Sequence, residues 1–165
     1  MSGESTGTLD VLTEFYTDKL ASLMQHQAHA RLVDQYDANN TYQYVINREE
    51  VQLTWLAKAI ADGGGTVPGE PEAFIARVPH GKEGAAVLFG DDAAGAGEFI
   101  TRWRPRVEAM EHARHRAMLN VILGETREQQ RFFEQALAGR TDLLGRRSGV
   151  AGLAHGEVLP ARWIE

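Results

Sequence analysis

The sequence of 165 residues contains no cysteine. This absence excludes disulfides, iron–sulfur clusters, thiolate zinc sites and cysteine nucleophiles. Long apolar runs are missing as well, and the first ten residues carry acidic side chains where a signal peptide has a basic and then an apolar region. We therefore expect a protein that does not insert into membranes and that resides in the cytoplasm.

An excess of positive charge is also missing, since the formal net charge is −6 at pH 7. Nucleic-acid binders need a positively charged surface, so we expect no nucleic-acid partner. The sequence shows neither the alternation of a strand nor a glycine-rich phosphate-binding motif. Its apolar fraction of 43% and charged fraction of 24% are typical of one globular domain.

What the sequence does have is helical periodicity, because apolar residues recur at three- and four-residue steps in four segments. The pattern predicts helices over residues 9–34, 42–62, 91–111 and 114–138, with a turn at 37–41. Pro105 falls inside the third segment, so residues 105–138 can also be interpreted as one helix. The predicted organisation is a disordered lead-in over 1–8, a helical bundle over 9–139 and a C-terminal arm over 140–165.

Helices of this size are about 30–39 Å long at 1.5 Å per residue, which is the size of a four-helix bundle. Short turns join the first helix to the second and the third to the fourth. The connection over residues 63–90 is much longer and can run the whole length of a bundle. We therefore predict an all-α, up-down four-helix bundle with a long crossover between the second and third helices.

Polar side chains interrupt the predicted inward faces of three of these helices. A helical wheel places Gln27, Glu49 and Gln129 near the centres of their faces, and Gln52 and Glu125 at the flanks. All five fall near the middle of the bundle, whereas the third helix has no inward polar residue in this interpretation. A buried carboxylate without a partner costs several kcal/mol, so we expect something to satisfy this layer.

Two segments resemble helices of a known family. In VINREEVQLTWLAKAI (45–60) Glu49 precedes Gln52 by three residues, and in MLNVILGETREQQRFFEQALAG (118–139) Glu125 precedes Glu128 by three. They are similar to the second and fourth helices of ferritin-like proteins of the bacterioferritin and rubrerythrin type, where the pattern is Glu-x-x-His. The resemblance covers residues 9–139.

The resemblance implies a ferritin-like fold, a homodimer and a mid-bundle site for iron or manganese with dioxygen-linked or iron-handling activity. The metal ligands that it implies are Gln27, Glu49, Gln52, Glu125, Glu128 and Gln129. This chain departs from the family pattern because both motif histidines are replaced. It also has two predicted core carboxylates where the family's two-metal centre takes about four.

A second hypothesis is a metal-free bundle in which the glutamine amides hydrogen-bond the buried carboxylates. Such a bundle would serve as a dimer, or as a subunit that binds a protein partner through residues 140–165. Two histidine pairs with a spacing of three, His26 with His29 and His112 with His115, either bind zinc or copper or lie at the surface and at helix ends.

Overall fold

Four amphipathic segments of the chain form four helices. The structure, a computed structural model, describes residues 2–73, 81–140 and 143–144, with side chains from residue 7 onward. The helices are α1 (Ser2–Ala30), α2 (Tyr36–Asp62), α3 (Lys82–Glu108) and α4 (Ala113–Leu137). No strand occurs in these ranges. The prediction of an all-α four-helix bundle is confirmed.

The helices form two hairpins, α1 with α2 and α3 with α4, and α1 also packs on α3 while α2 packs on α4. Contacts between Glu14 and Arg106 near one end of the bundle, and between Gln25 and Asp92 further along, show that α1 and α3 are antiparallel. Gly63, after α2, and the residues after α3 line a pocket at the same end of the bundle. The end of α2 and the start of α3 therefore lie at opposite ends of the bundle, which agrees with the predicted crossover.

Aromatic packing stabilises the interface of α1 with α3. Phe15 lies 5.2 Å from Phe99 and 5.0 Å from Trp103, both in edge-to-face geometry. All three rings are buried, and burial of such a side chain contributes about 1.5–3 kcal/mol. The Trp103 indole donates a hydrogen bond to Asp18 Oδ2 at 2.8 Å, which satisfies its one polar group.

The first helix begins at Ser2, so residues 2–8 are helical, in contrast to the disordered lead-in predicted for 1–8. A helix that is already nucleated gains one hydrogen bond for each residue added, so a polar segment can extend it. Composition alone does not reveal this extension.

The second helix begins at Tyr36, and the segment 37–41 that was predicted as a turn is its first turn. Its polar residues make hydrogen bonds that fit a helix. Asn39 Nδ2 donates to Ala30 O at 3.0 Å and so satisfies a carbonyl at the end of α1, while Thr41 Oγ1 donates to Asp37 O at 3.1 Å.

The third helix begins at Lys82, nine residues before the predicted start at Asp91. Ala85, Leu88 and Phe89 are buried in the core, and this packing outweighs the low helix propensity of the nearby glycines. The helix contains Pro105 and ends at Glu108, and residues 109–112 separate it from α4. The interpretation of 105–138 as one helix is therefore wrong.

None of the described helices combines the length and the apolar character needed to cross a membrane. Of the predicted arm over 140–165, the structure describes Arg140, Leu143 and Leu144, and Leu143 is buried against the end of the bundle. The other residues of the arm lie outside the described part of the chain.

Candidate functional site: a buried cluster of charged side chains

The inward face of α2 carries a carboxylate in the middle of an apolar stripe. Tyr42, Val45, Glu49 and Leu56 follow each other at helical spacing, and Gln52 lies one turn from Glu49. Glu49 and Gln52 are both 0% exposed. A carboxylate at this depth is stable only with charged or hydrogen-bonding partners.

Two basic side chains of α1 provide those partners. His26 Nδ1 donates a hydrogen bond to Glu49 Oε1, and Lys19 Nζ lies 3.5 Å from Glu49 Oε2. Lys19 is 1% exposed and crosses the bundle, since its Nζ also donates to Thr126 Oγ1 on α4 at 3.1 Å. Lys19 therefore connects α1 with both α2 and α4.

A second buried carboxylate, Asp92 of α3, accepts hydrogen bonds from several directions. His29 Nδ1 donates to Oδ2 at 2.7 Å, Gln25 Nε2 donates to Oδ1 at 2.9 Å, and the Tyr42 hydroxyl donates to Oδ2. His26 Nε2 lies 3.6 Å from Oδ1. One imidazole ring, that of His26, thus stands between the two buried carboxylates and joins them in one cluster.

Burial raises the pKa of both carboxyl groups, but their basic neighbours outweigh it. The charges of His26 and Lys19 hold the pKa of Glu49 below its usual value. The hydrogen bond from His29 and the charge of His26 do the same to the pKa of Asp92. Both side chains are therefore carboxylates at neutral pH.

The pKa values of the basic and phenolic groups in the cluster do not all shift in the same direction. Burial lowers the pKa of His26, but the Glu49 carboxylate outweighs this effect and the pKa ends above its usual value. Burial also lowers the pKa of Lys19, and here Glu49 offsets only part of the shift. Burial together with the charge of Asp92 raises the pKa of Tyr42, which therefore stays a hydrogen-bond donor.

A separate ion pair lies at the edge of the cluster. Arg48 Nη2 donates to Glu125 Oε1 at 2.5 Å, and Gln52 Nε2 donates to Glu125 Oε2. The Arg48 and Glu125 side chains are 34% and 27% exposed. Glu125 therefore joins the buried layer through Gln52 while it faces the solvent on its other side.

Some residues of the predicted polar layer are buried in the structure, and others are not. Glu49, Gln52 and Gln129 are buried, and Glu125 is half-buried at the edge. Glu128 is exposed on α4. The inward position predicted for Gln27 is wrong, because it is half-buried and lines an outer groove between α1 and α2.

The helical period explains the error at Gln27. From the buried Leu12 and Phe15, alternating steps of four and three lead to Lys19, His26 and His29, which are the inward residues. Helices that pack side by side in a bundle follow a repeat of 3.5 residues per turn, whereas the 3.6-residue wheel drifts by about 20° per heptad. Counting from Phe15 with the heptad repeat would have found all three basic residues.

The prediction that α3 has no inward polar residue is also wrong. Asp92 lies four residues before the buried Ala96 and seven before Phe99, so it shares their face of the helix. The predicted helix begins at Asp91, so Asp92 falls in its first turn, ahead of the apolar stripe that contains Ala96 and Phe99.

Three buried polar atoms of this region lack a hydrogen-bond partner in the structure. They are Glu49 Oε2, Gln52 Oε1 and Gln129 Nε2. A pocket of about 220 Å³ between α1 and α3 reaches Gln129, Lys19 and His26 from the solvent. The cluster is thus buried but connected to the surface.

The donor set does not fit a two-metal centre, which takes about four carboxylates and two imidazoles. The cluster holds the carboxylates of Glu49 and Asp92, and an amine nitrogen, Lys19 Nζ, occupies the space beside Glu49. Among the residues that the structure describes, no group of three or more His, Asp or Glu side chains is arranged to bind a metal ion.

The second histidine pair lies away from this cluster, at the start of α4. The rings of His112 and His115 stack with their centroids 3.8 Å apart. His112 Nδ1 accepts a hydrogen bond from the backbone N–H of His115 at 3.2 Å, which makes His112 the N-cap of the helix. The geometry supports the helix-end interpretation of this pair.

Comparison with known proteins supports the fold alone. No family model matches the chain, and no curated protein matches it. Among solved structures, it is similar to the crystal structure of a conserved hypothetical protein, rv2844, from Mycobacterium tuberculosis. The TM-score is 0.68 with 15% sequence identity, over 83% of this chain and 99% of that chain. This similarity agrees with the helical bundle.

Proposed function

We propose that this chain is a divergent ferritin-like protein in which ion pairs between side chains take the place of the two-metal centre. On this proposal it is a metal-free cytoplasmic bundle whose buried polar layer holds the four helices in one register. The observation that carries the proposal is the position of Lys19, whose Nζ lies 3.5 Å from Glu49 Oε2 and donates to Thr126.

A buried carboxylate needs a positive charge nearby, and in a ferritin-like metal site a divalent ion supplies it. Here basic side chains do so, because Lys19 and His26 contact Glu49 while His26 and His29 contact Asp92. A divalent cation beside Lys19 would also meet the repulsion of a like charge at short range.

A single iron or manganese ion is the second candidate. It is favoured by the convergence of the imidazoles of His26 and His29 with the carboxylates of Glu49 and Asp92 from three helices. Imidazole and carboxylate are suitable donors for both metals. Such an ion would have to displace the present ion pairs of these four side chains.

Metal content separates the two candidates. The untagged protein, purified from cells supplemented with iron and manganese, is analysed by mass spectrometry together with Glu49→Ala and a matched control, Glu50→Ala, at the exposed neighbouring position. We expect less than about a tenth of an equivalent of either metal in all three proteins. About one equivalent, lost in Glu49→Ala and kept in Glu50→Ala, would overturn the metal-free proposal.

The proposal includes a homodimer, because the resemblance to ferritin-like proteins implies one. One outer face, formed by α2 and α4, supports it because Tyr44, Val51 and Val121 are large apolar side chains that are 41%, 38% and 52% exposed. In the alternative, the bundle serves as a subunit that binds a protein partner through residues 140–165.

A further inference from the structure

The pocket between α1 and α3 joins the polar cluster to the solvent. Exposed residues with small side chains, Ala21 and Gly95, lie at its mouth. Its inner wall includes the buried Lys19, His26 and Gln129. The volume of about 220 Å³ exceeds the roughly 30 Å³ that one water molecule occupies in the liquid. A small organic molecule therefore fits.

One hydrogen-bond donor in this wall is unused. Gln129 is 2% exposed, and its Nε2 has no acceptor in the structure. A buried amide N–H without an acceptor is unfavourable, and most such groups in folded proteins are paired. Because Gln129 lines the pocket, an acceptor on a bound molecule can satisfy it.

The buried charged side chains around the pocket already have partners. Lys19 contacts Glu49 and Thr126, and Asp92 accepts hydrogen bonds from Gln25 and from other side chains. A charged ligand placed among these buried side chains would bring a further buried charge, and the charges already there are paired with one another. An uncharged ligand with an exposed acceptor oxygen meets no such penalty.

We propose that this pocket binds a small uncharged carbonyl compound of the amide class, whose oxygen accepts a hydrogen bond from Gln129 Nε2. Thr126 and Gln129 lie three residues apart on α4, so they are neighbours on one face of the helix. Lys19 Nζ donates to Thr126 and therefore contacts the same face of α4 as Gln129. This binding site is independent of the proposed function and needs no metal.

Acetamide and acetate form a matched pair of probes, because they are similar in size and differ in charge. We expect acetamide, titrated into the full-length ¹⁵N-labelled protein, to cause saturable shifts in the NMR signals of the Gln129 side-chain amide and the Gly95 backbone amide. Gln129→Met should weaken acetamide binding about tenfold, the effect of one hydrogen bond. Gln130→Met is the control, since Gln130 donates to Glu134 outside the pocket.

A second variant tests the pocket without changing a buried side chain. A Cβ added at Gly95 would meet no atom within 4 Å, so Gly95→Leu fits an exposed helical position and narrows the mouth of the pocket. We expect it to keep the helical circular dichroism spectrum and to bind acetamide more weakly. The proposal is overturned by the absence of saturable shifts, by equal shifts with acetate, or by unchanged binding in both Gln129→Met and Gly95→Leu.

Discussion

At the scale of single residues, Lys19 links three parts of the molecule. Its side chain is 1% exposed, and its amine contacts Glu49 of α2 and Thr126 of α4 and lies 5.1 Å from the centre of the Phe99 ring on α3. Removing one partner of a buried ion pair leaves the other charge without compensation, which costs more than the pair itself contributes. The stability of the bundle should therefore depend on this one side chain.

We predict that Lys19→Met lowers the free energy of unfolding by about 3 kcal/mol, because Glu49 keeps only His26 as its basic partner. The control is Lys58→Met, which removes an exposed pair with Asp62 and should cost less than about 1 kcal/mol. Urea unfolding followed by circular dichroism measures both. Equal stability of Lys19→Met and the wild type would show that the pair with Glu49 contributes nothing to the fold.

At the scale of elements, α2 and α4 share an outer face in which aromatic and charged side chains alternate. Tyr44 packs edge-to-face on Phe132 at 5.8 Å, and the guanidinium of Arg48 lies 5.8 Å from the Trp55 ring. Exposed apolar residues that lie close together on one face favour association. This face is the candidate surface for the proposed homodimer.

We predict that Val51→Glu weakens dimerisation at least about tenfold, since it places a charge in an apolar interface. Val87→Glu is the matched control, because Val87 is 48% exposed on α3, away from this face. Sedimentation velocity over a range of concentrations gives the dimer dissociation constant of each protein. A wild-type protein that stays monomeric, or an equal effect of both substitutions, would contradict the assignment of this face.

At the scale of the whole molecule, the cluster couples stability to pH. The lowered pKa values of Glu49 and Asp92 give a contribution that is complete above their usual values of 4.5 and 3.8 and is lost as the pH falls through the folded values. The raised pKa of His26 gives a contribution that is complete below 6.5 and is lost as the pH rises through the folded value. These three groups together therefore stabilise the bundle most between about pH 4.5 and 6.5.

We predict that the difference in unfolding free energy between the wild type and His26→Gln is largest near pH 5.5 and narrows toward about pH 9. The reason is that the imidazolium of His26, which contacts Glu49 and Asp92, loses its proton over this range in the wild type only. Urea unfolding at several pH values measures the difference. A difference that does not change with pH would mean that His26 contributes no titrating charge to the folded state.

The sequence by itself determined the helical architecture. Apolar spacing identifies four amphipathic segments, and the glycines at 63–65 together with the long connection that follows predict two hairpins and a crossover. The buried Glu49, Gln52 and Gln129 were found as well, because each interrupts an apolar stripe. These features depend on residues that are close together in the chain.

Only the tertiary structure decided where the helices begin and which basic residues complete the cluster. The first turns of α2 and α3 form where Asn39 hydrogen-bonds the end of α1 and where Leu88 and Phe89 enter the core, and both contacts join one helix to another. Lys19 and His26 face inward because packing in the bundle sets the repeat close to 3.5 residues per turn. A wheel drawn at the 3.6 residues per turn of an isolated helix does not place them there, so the residues that neutralise Glu49 are decided when the helices pack.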